Sequence, residues 1–202
     1  HGDDFDQAMR AIRAGFTSVM LDKSSAPFEE NVRETKEVVH AAHIVGVSVE
    51  AELGCVGFGQ KNDGENIDSF TKPEDVEKFI HATGADCLAI AIGTAHGHYK
   101  GTPKIDFERL DAIRSVTSVP LVLHGGSSTG EENLKKAVRH GISKVNIGTD
   151  LSDAAKGNII DFLSDHDPHQ RGVYGKMLTA GMQGYGDKLE EYMILFGSAG
   201  QW

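Results

Sequence analysis

The chain of 202 residues, 39% apolar and 25% charged, is long enough to bury a core and has the balance of an ordinary globular domain. Its formal net charge of −10 argues against nucleic acid or an anionic membrane as the main partner, because phosphate backbones demand clustered Lys and Arg. No run of about 18 apolar residues is present to span a bilayer, so no membrane association and a cytoplasmic location are expected. Cys55 and Cys87, the only two cysteines, form no C-x-x-C pair; a disulfide framework and a thiolate zinc cage fall away, and both are expected as small core residues.

The chain begins His1-Gly2-Asp3-Asp4-Phe5 without a Met, reading as the end of a strand, and a fragment of a longer protein is expected. A helical pattern then stops at Gly15 before a β-type run from Thr17 to Leu21. A second, following Pro27, stops at Gly46 before Val47 to Leu53. Thr71-Lys72-Pro73-Glu74 reads as a capping box opening a helix that Gly84 closes ahead of Cys87 to Ile92. Leu121 to Leu123 is entered through Pro120. Ser128 with Glu131 offers another capping box, for a helix that Gly141 closes before Ser143 to Ile147. Each glycine suits the left-handed position that terminates a helix.

The order is β then α, repeated, with strand starts roughly 25 to 40 residues apart, room for a helical crossover between parallel strands. The runs are rich in Val, Ile, Leu and Ala, as strands covered on both faces should be. A barrel or a doubly wound sheet follows. No G-x-G-x-x-G trails the first strand, which weighs against a dinucleotide fold.

Polar residues sit where strands finish: Asp22, the pair Glu50 and Glu52, His96, His124 and Asn146. In a barrel those ends converge on one mouth, where the chemistry is kept. His96 and His124, glycine-flanked after apolar strands, are the natural pair of zinc ligands, with His1 a third if it too ends a strand. His40, His43, His81, His140, His166 and His169 read as ordinary surface or core residues, and His98 as facing away or lining the rim. Glu50 and Glu52 share a strand face and are poor core fillers without partners. Asp22 is either part of the mouth or a cap for the helix after Pro27. The loops from His124 to Gly130 and from Asn146 to Asp150 each lead from a strand into a helix and can cradle an anion.

Taken in order, these segments resemble the class II ketose-bisphosphate aldolases, the fructose- and tagatose-bisphosphate enzymes. The resemblance is carried by His1-Gly2 with Phe5, Ala14 to Asp22, Pro27 to Val32, Val47 to Gly54, Ala91 to Gly97 with Lys100, Val122 to Ser127, Lys144 to Ile147 and Phe196 to Ala199. It spans essentially the whole chain. It implies a (β/α)8 TIM barrel in which residues 1–202 form a single domain holding strands 4 to 8, with the N-terminal part missing.

It also implies a site. His1, His96 and His124 match the catalytic Zn2+ ligands; Asp22 and Glu52 match ligands of a second divalent metal. Gly97, Gly125, Gly126, Ser127, Asn146, Ile147, Gly148 and Thr149 match substrate and phosphate contacts, with Lys100 near the same phosphate and Gly97 and Gly125 near a monovalent cation, Na+ or K+. Asn146 matches a group that holds developing charge. The family's catalytic Asp precedes the residue matching His1 and is absent here. The implied reaction is reversible, zinc-dependent cleavage of tagatose- or fructose-1,6-bisphosphate to dihydroxyacetone phosphate and glyceraldehyde 3-phosphate, in the glycolytic branch of carbohydrate metabolism, by a homodimer or homotetramer.

Three departures matter. Gln60 or Lys61 stands where relatives carry a loop Glu, with Asp63 or Glu65 as substitutes; His169 stands where many carry Arg, with Arg171 nearby; and Gly148 replaces an Asp usual in fructose enzymes, favouring a tagatose-type substrate. A non-catalytic or repurposed metal- and phosphate-binding relative, or an aldolase for another sugar phosphate, is the alternative; a metal-dependent barrel hydrolase is a remoter one.

Overall fold

The computed structural model describes residues 1–58, 69–99, 101–167 and 169–201. After α1 (Phe5–Arg13) come β1 (Ser18–Leu21), α2 (Phe28–Ile44), β2 (Ser48–Leu53), β3 (Gly57–Phe58), α3 (Pro73–Thr83), β4 (Cys87–Ile90) and β5 (Ala95–His96). Then follow α4 (Phe107–Val116), β6 (Leu121–Leu123), α5 (Glu131–Arg139), β7 (Ile142–Val145), α6 (Thr149–Asp165) and α7 (Val173–Phe196).

Five strands make one parallel sheet in the order β1-β2-β4-β6-β7, each step crossed by a helix. This is an α/β architecture. The inner strands β4 and β6 are buried nearly throughout, while the outer β1 and β7 are only partly buried. Leu88, Ile90, Leu121 and Leu123 are fully buried and pack with Phe79 of α3 and Ile113 of α4. Each such side chain contributes about 1.5–3 kcal/mol. Beside β1, Gly2 adds a short parallel bridge: its N–H donates to the Met20 carbonyl at 3.0 Å, and its carbonyl accepts from Asp22 N–H at 2.9 Å.

The expected helix stops are present: Gly15, Gly46, Gly84 and Gly141 all have positive φ. The expected caps are not. Lys72 is the N-cap of α3 and makes no side-chain cap bond; the buried Thr71 hydroxyl instead donates to the Leu53 carbonyl and accepts Ala91 N–H at 2.8 Å, stitching β2 to the segment after β4. Gly130, not Ser128, is the N-cap of α5. Asp22 does not cap α2, whose N-cap is Pro27; its carboxylate accepts from the Ser24 amide (3.0 Å) and hydroxyl (2.7 Å).

Neither cysteine is in the core. Cys55 is exposed beyond the turn that ends β2, with its N–H given to the Ser69 carbonyl. Cys87, half-buried, sits opposite Glu50 in register, and burial followed by the Glu50 charge pushes its thiol up to about 12. A second sheet was not anticipated: β3 and β5 pair in parallel, setting Phe58 beside His96. No helix among the described residues is long and apolar enough to cross a membrane.

Candidate metal centre and anion pocket

Three imidazoles from distant parts of the chain meet at one end of the sheet. His1 arrives on the bridge beside β1, His96 on β5 and His124 directly after β6; each offers a ring nitrogen, and these lie within 4.8 Å of one another. His1 stacks on His124 with ring centroids 4.6 Å apart, and His96 stands 5.5 Å from His1 and 5.9 Å from His124.

His124 is fully buried, and both of its nitrogens face carboxylates. Nε2 bonds Glu50 Oε1 at 2.8 Å, whereas Nδ1 lies 3.2 Å from Glu52 Oε2 without hydrogen-bond alignment. Burial pulls the imidazole down, but the hydrogen bond to Glu50 and the negative charges of Glu52 and Glu50 outweigh it and push His124 up to about 9. Burial raises the Glu50 carboxyl, yet His124 and Lys144, whose Nζ is 2.6 Å away, hold it below its ordinary value. His96 is pulled down by burial and by repulsion from His124, which leaves it neutral and ready to ligate.

Two buried polar atoms here, His124 Nδ1 and Glu52 Oε2, have no hydrogen-bond partner. Leaving such atoms unpaired costs about 1–3 kcal/mol each. A divalent cation among three imidazoles relieves that cost, so the residues fit a metal with the nitrogen-rich set that suits Zn2+. Asp22 and Glu52 do not join the group of three. Glu52 Oε1 accepts Val56 N–H at 3.3 Å and Asp22 is engaged with Ser24, though both act electrostatically on His96.

Next to the metal cluster is a pocket of about 560 Å³. Its walls include His1 and His96 together with Gly97, Gly125 and Ser127 from one side, and Asn146, Ile147, Gly148 and Thr149 from the other. Gly126 does not line it: its N–H donates to the Asn146 carbonyl at 3.1 Å, and a Cβ there would meet Val145 Cγ1 at 2.6 Å. Ser127 is more informative. Its hydroxyl oxygen accepts from the amides of Gly148 (3.1 Å) and Asp150 (3.3 Å), capping α6 from another loop. With both lone pairs engaged, its hydrogen is left to donate to a ligand. The N-terminus of the 17-residue α6 adds its dipole at Thr149.

Several residues that shape this site were not singled out from sequence. Tyr99 hydroxyl accepts Ala95 N–H at 2.6 Å and donates to the Gly125 carbonyl at 2.9 Å, tying the His96 loop to the His124 loop. Asp150 accepts from the Ser128 amide (2.8 Å) and hydroxyl (2.9 Å) and from Tyr192 of α7, and so holds Ser128 at φ 58°. His98, expected from the sequence to face away or line the rim, is half-exposed and pairs with Asp153 at 3.1 Å. Lys100, Gln60, Lys61, Asp63 and Glu65 lie outside the described residues.

The fold is thus a parallel α/β architecture with a three-histidine cluster that could hold a metal ion, beside a pocket whose lining could take an anion. Comparison with known proteins gives the family. The family model described as "Fructose-bisphosphate aldolase class-II" matches residues 1–201. The fructose-bisphosphate aldolase of Geobacillus stearothermophilus is 44% identical over 205 residues, covering 100% of this chain and 69% of that protein. That of Staphylococcus aureus (strain Mu50) is 45% identical over 167 residues, 82% of this chain and 58% of that protein. Among solved structures, the YdjI aldolase of Escherichia coli K12 superposes with a TM-score of 0.85 at 35% identity, covering 100% of this chain and 69% of that one.

The chain therefore belongs to the class-II fructose-bisphosphate aldolase family, whose members are carbon-carbon lyases. It spans between 58% and 69% of the length of these two curated relatives.

Proposed function

We propose that this chain carries the metal- and phosphate-binding part of a zinc-dependent aldolase that reversibly cleaves a ketose 1,6-bisphosphate to dihydroxyacetone phosphate and glyceraldehyde 3-phosphate. The observation that carries the reading is the meeting of His1, His96 and His124 within 4.8 Å, against a pocket lined by Ser127 and the start of α6. His1, His96 and His124 would hold the zinc ion, which when bound would supply Lewis acidity toward the ketose carbonyl.

The chain's own groups do the rest. The Ser127 hydroxyl and the α6 N-terminus bind the phosphate of the dihydroxyacetone half, and Gly97 and Gly125 let backbone approach it, as a K+ or Na+ ion there also requires. Asn146, on the pocket wall, steadies charge as it develops. Asp22 and Glu52 are the acidic groups available to a second divalent ion, and Lys100 a further phosphate contact.

In the same reading, residues 1–202 are one domain, strands 4 to 8 of a (β/α)8 barrel. Support comes from the five parallel strands and from Gly2, already bonded to β1 as a further strand would be. A cytoplasmic homodimer or homotetramer completes it, supported by the exposed stripe Tyr174, Leu178, Met182, Tyr185 and Leu189 along α7.

By the resemblance, Gly148 in place of an Asp favours tagatose-1,6-bisphosphate, whereas the names of the curated relatives favour fructose-1,6-bisphosphate. A coupled assay of the full-length, zinc-loaded protein on both C4 epimers decides between them. Aldehyde release from either one, abolished by chelation and by His124→Ala, is expected. Tight zinc and phosphate binding with no release from either epimer sinks the lyase reading in favour of a repurposed relative.

A further inference from the structure

Glu50 is only 4% exposed, yet neither of its oxygens is idle. Oε1 bonds His124 Nε2 at 2.8 Å and Oε2 accepts from Lys144 Nζ at 2.6 Å. The carboxylate thus reaches from β2 to the loop after β6 and to β7, across sequence separations of 74 and 94 residues. Burying a carboxylate this completely is strongly unfavourable unless it is paired and hydrogen-bonded, and here one of the two pairings is to a member of the histidine cluster.

An imidazole has two nitrogens, and the bond made by one decides what the other can do. In the neutral ring that a metal ligand must be, with the Nε2 proton given to Glu50, the lone pair of His124 is on Nδ1, the buried atom that has no hydrogen bond in this structure. Glu52, though it lies 3.2 Å from Nδ1, is not aligned to claim it.

Building on the zinc-site reading above, we propose that Glu50 is a positioning residue which fixes His124 in the Nε2–H tautomer and presents Nδ1 to the metal, and that Lys144 holds the Glu50 carboxylate in that orientation. Carboxylate-to-imidazole bonds of this kind set ring orientation and ligand basicity at metal sites. Lys144 is the distal member of the pair, with its side chain 53% exposed, so its own replacement perturbs little packing.

The test uses the full-length protein and its Glu50→Gln, Glu50→Ala, Lys144→Met and His124→Ala variants. Zinc affinity is read by competition with a chromophoric chelator, ligand geometry by the visible spectrum of the cobalt(II) form, and the tautomer by the imidazole 15N shifts of His124. We expect Glu50→Ala to weaken zinc binding about 10- to 100-fold and to mix the His124 tautomers. Glu50→Gln, whose amide oxygen still accepts from Nε2–H, should recover most of that loss, and Lys144→Met should fall between them.

Wild-type zinc affinity and unchanged 15N shifts in both Glu50→Ala and Lys144→Met overturn the proposal, as does a Glu50→Gln no better than Glu50→Ala. His124→Ala separates the two levels. If it binds zinc as the parent does, the zinc-site reading itself fails; if it loses zinc while Glu50→Ala does not, only the role of Glu50 fails. Should Glu50→Ala not fold, Lys144→Met and Glu50→Gln still decide the matter.

Discussion

Replacing Gly125 by Ala places a methyl group where the structure has no room. Gly125 has φ +67°, and a Cβ built there would stand 2.2 Å from the Ala95 carbonyl oxygen and 2.6 Å from its carbon. Carbon-oxygen contacts settle near 3.3 Å, so the strand carrying Ala95 must retreat by about 1 Å. His96 is the next residue, and the Tyr99 hydroxyl that bridges Ala95 and Gly125 would be pulled apart with it. The left-handed backbone alone costs an Ala about 1–2 kcal/mol, and overpacking adds about 1–3 kcal/mol. The expected loss is therefore roughly 2–5 kcal/mol, and sites of this kind tolerate only about 0.5 Å of misplacement, so zinc binding should weaken at least about tenfold.

The measurements are urea unfolding followed by circular dichroism, and zinc titration, both on the full-length protein. Gly148→Ala is the control: it sits in the same pocket, but its φ is negative, at −138°, and nothing lies within 4 Å of the added carbon. It should stay within about 0.5 kcal/mol of the parent. If Gly125→Ala unfolds and binds zinc like Gly148→Ala, the close approach of β5 to the His124 loop is not what gathers the histidines.

Thr71→Val removes a hydroxyl that satisfies both the Leu53 carbonyl and the Ala91 amide in a fully buried setting; a loss of about 2–6 kcal/mol is expected in the same urea titration, at the rate of about 1–3 kcal/mol per stranded group. Asp150 tests the sign of an electrostatic effect: burial raises its carboxyl, but bonds from Tyr192 and Ser128 outweigh that and lower it. A lowered folded-state value means the stabilisation is present above the ordinary aspartate value of about 4 and is lost as pH falls through the folded value. Parent and Asp150→Asn should accordingly differ by no more than about 1 kcal/mol at neutral pH, the group being partly exposed, and converge in acid; a gap that widens on acidification refutes the assignment. Leu121→Ala, in the middle of the sheet and fully buried, should cost about 2–5 kcal/mol. Chelating the metal should lower the melting temperature of the parent and leave that of His124→Ala unchanged, since a ligand stabilises only the state that binds it.

The alternation of strand and helix was legible in the sequence because its causes are local. Apolar runs, crossover-length spacing and glycines where helices must stop lie within a few residues of the structure they produce, and Gly15, Gly46, Gly84 and Gly141 do stop helices with positive φ. His96 and His124 were legible for a related reason, since polar ligands directly after apolar strands stand out against their neighbours. The capping boxes failed where local pattern was asked to settle a hydrogen bond. The Thr71 hydroxyl found partners in Leu53 and Ala91, and Ser128 found Asp150, because nothing in four residues says which acceptor the folded chain will bring closest.

Tertiary structure alone decided how the site is supported. Glu50 meets Lys144 across 94 residues, and Asp150 meets Tyr192 across 42; the β3–β5 pair that seats His96 is two residues long. Strand register sets the first and last of these contacts, the packing of α6 on α7 sets the second, and both are properties of the whole fold. The sequence by itself determined which groups could bind a metal and a phosphate. Only the fold, by lining up β2, β6 and β7, determined that His124 gives Nε2 to a buried carboxylate and keeps Nδ1 without a hydrogen bond.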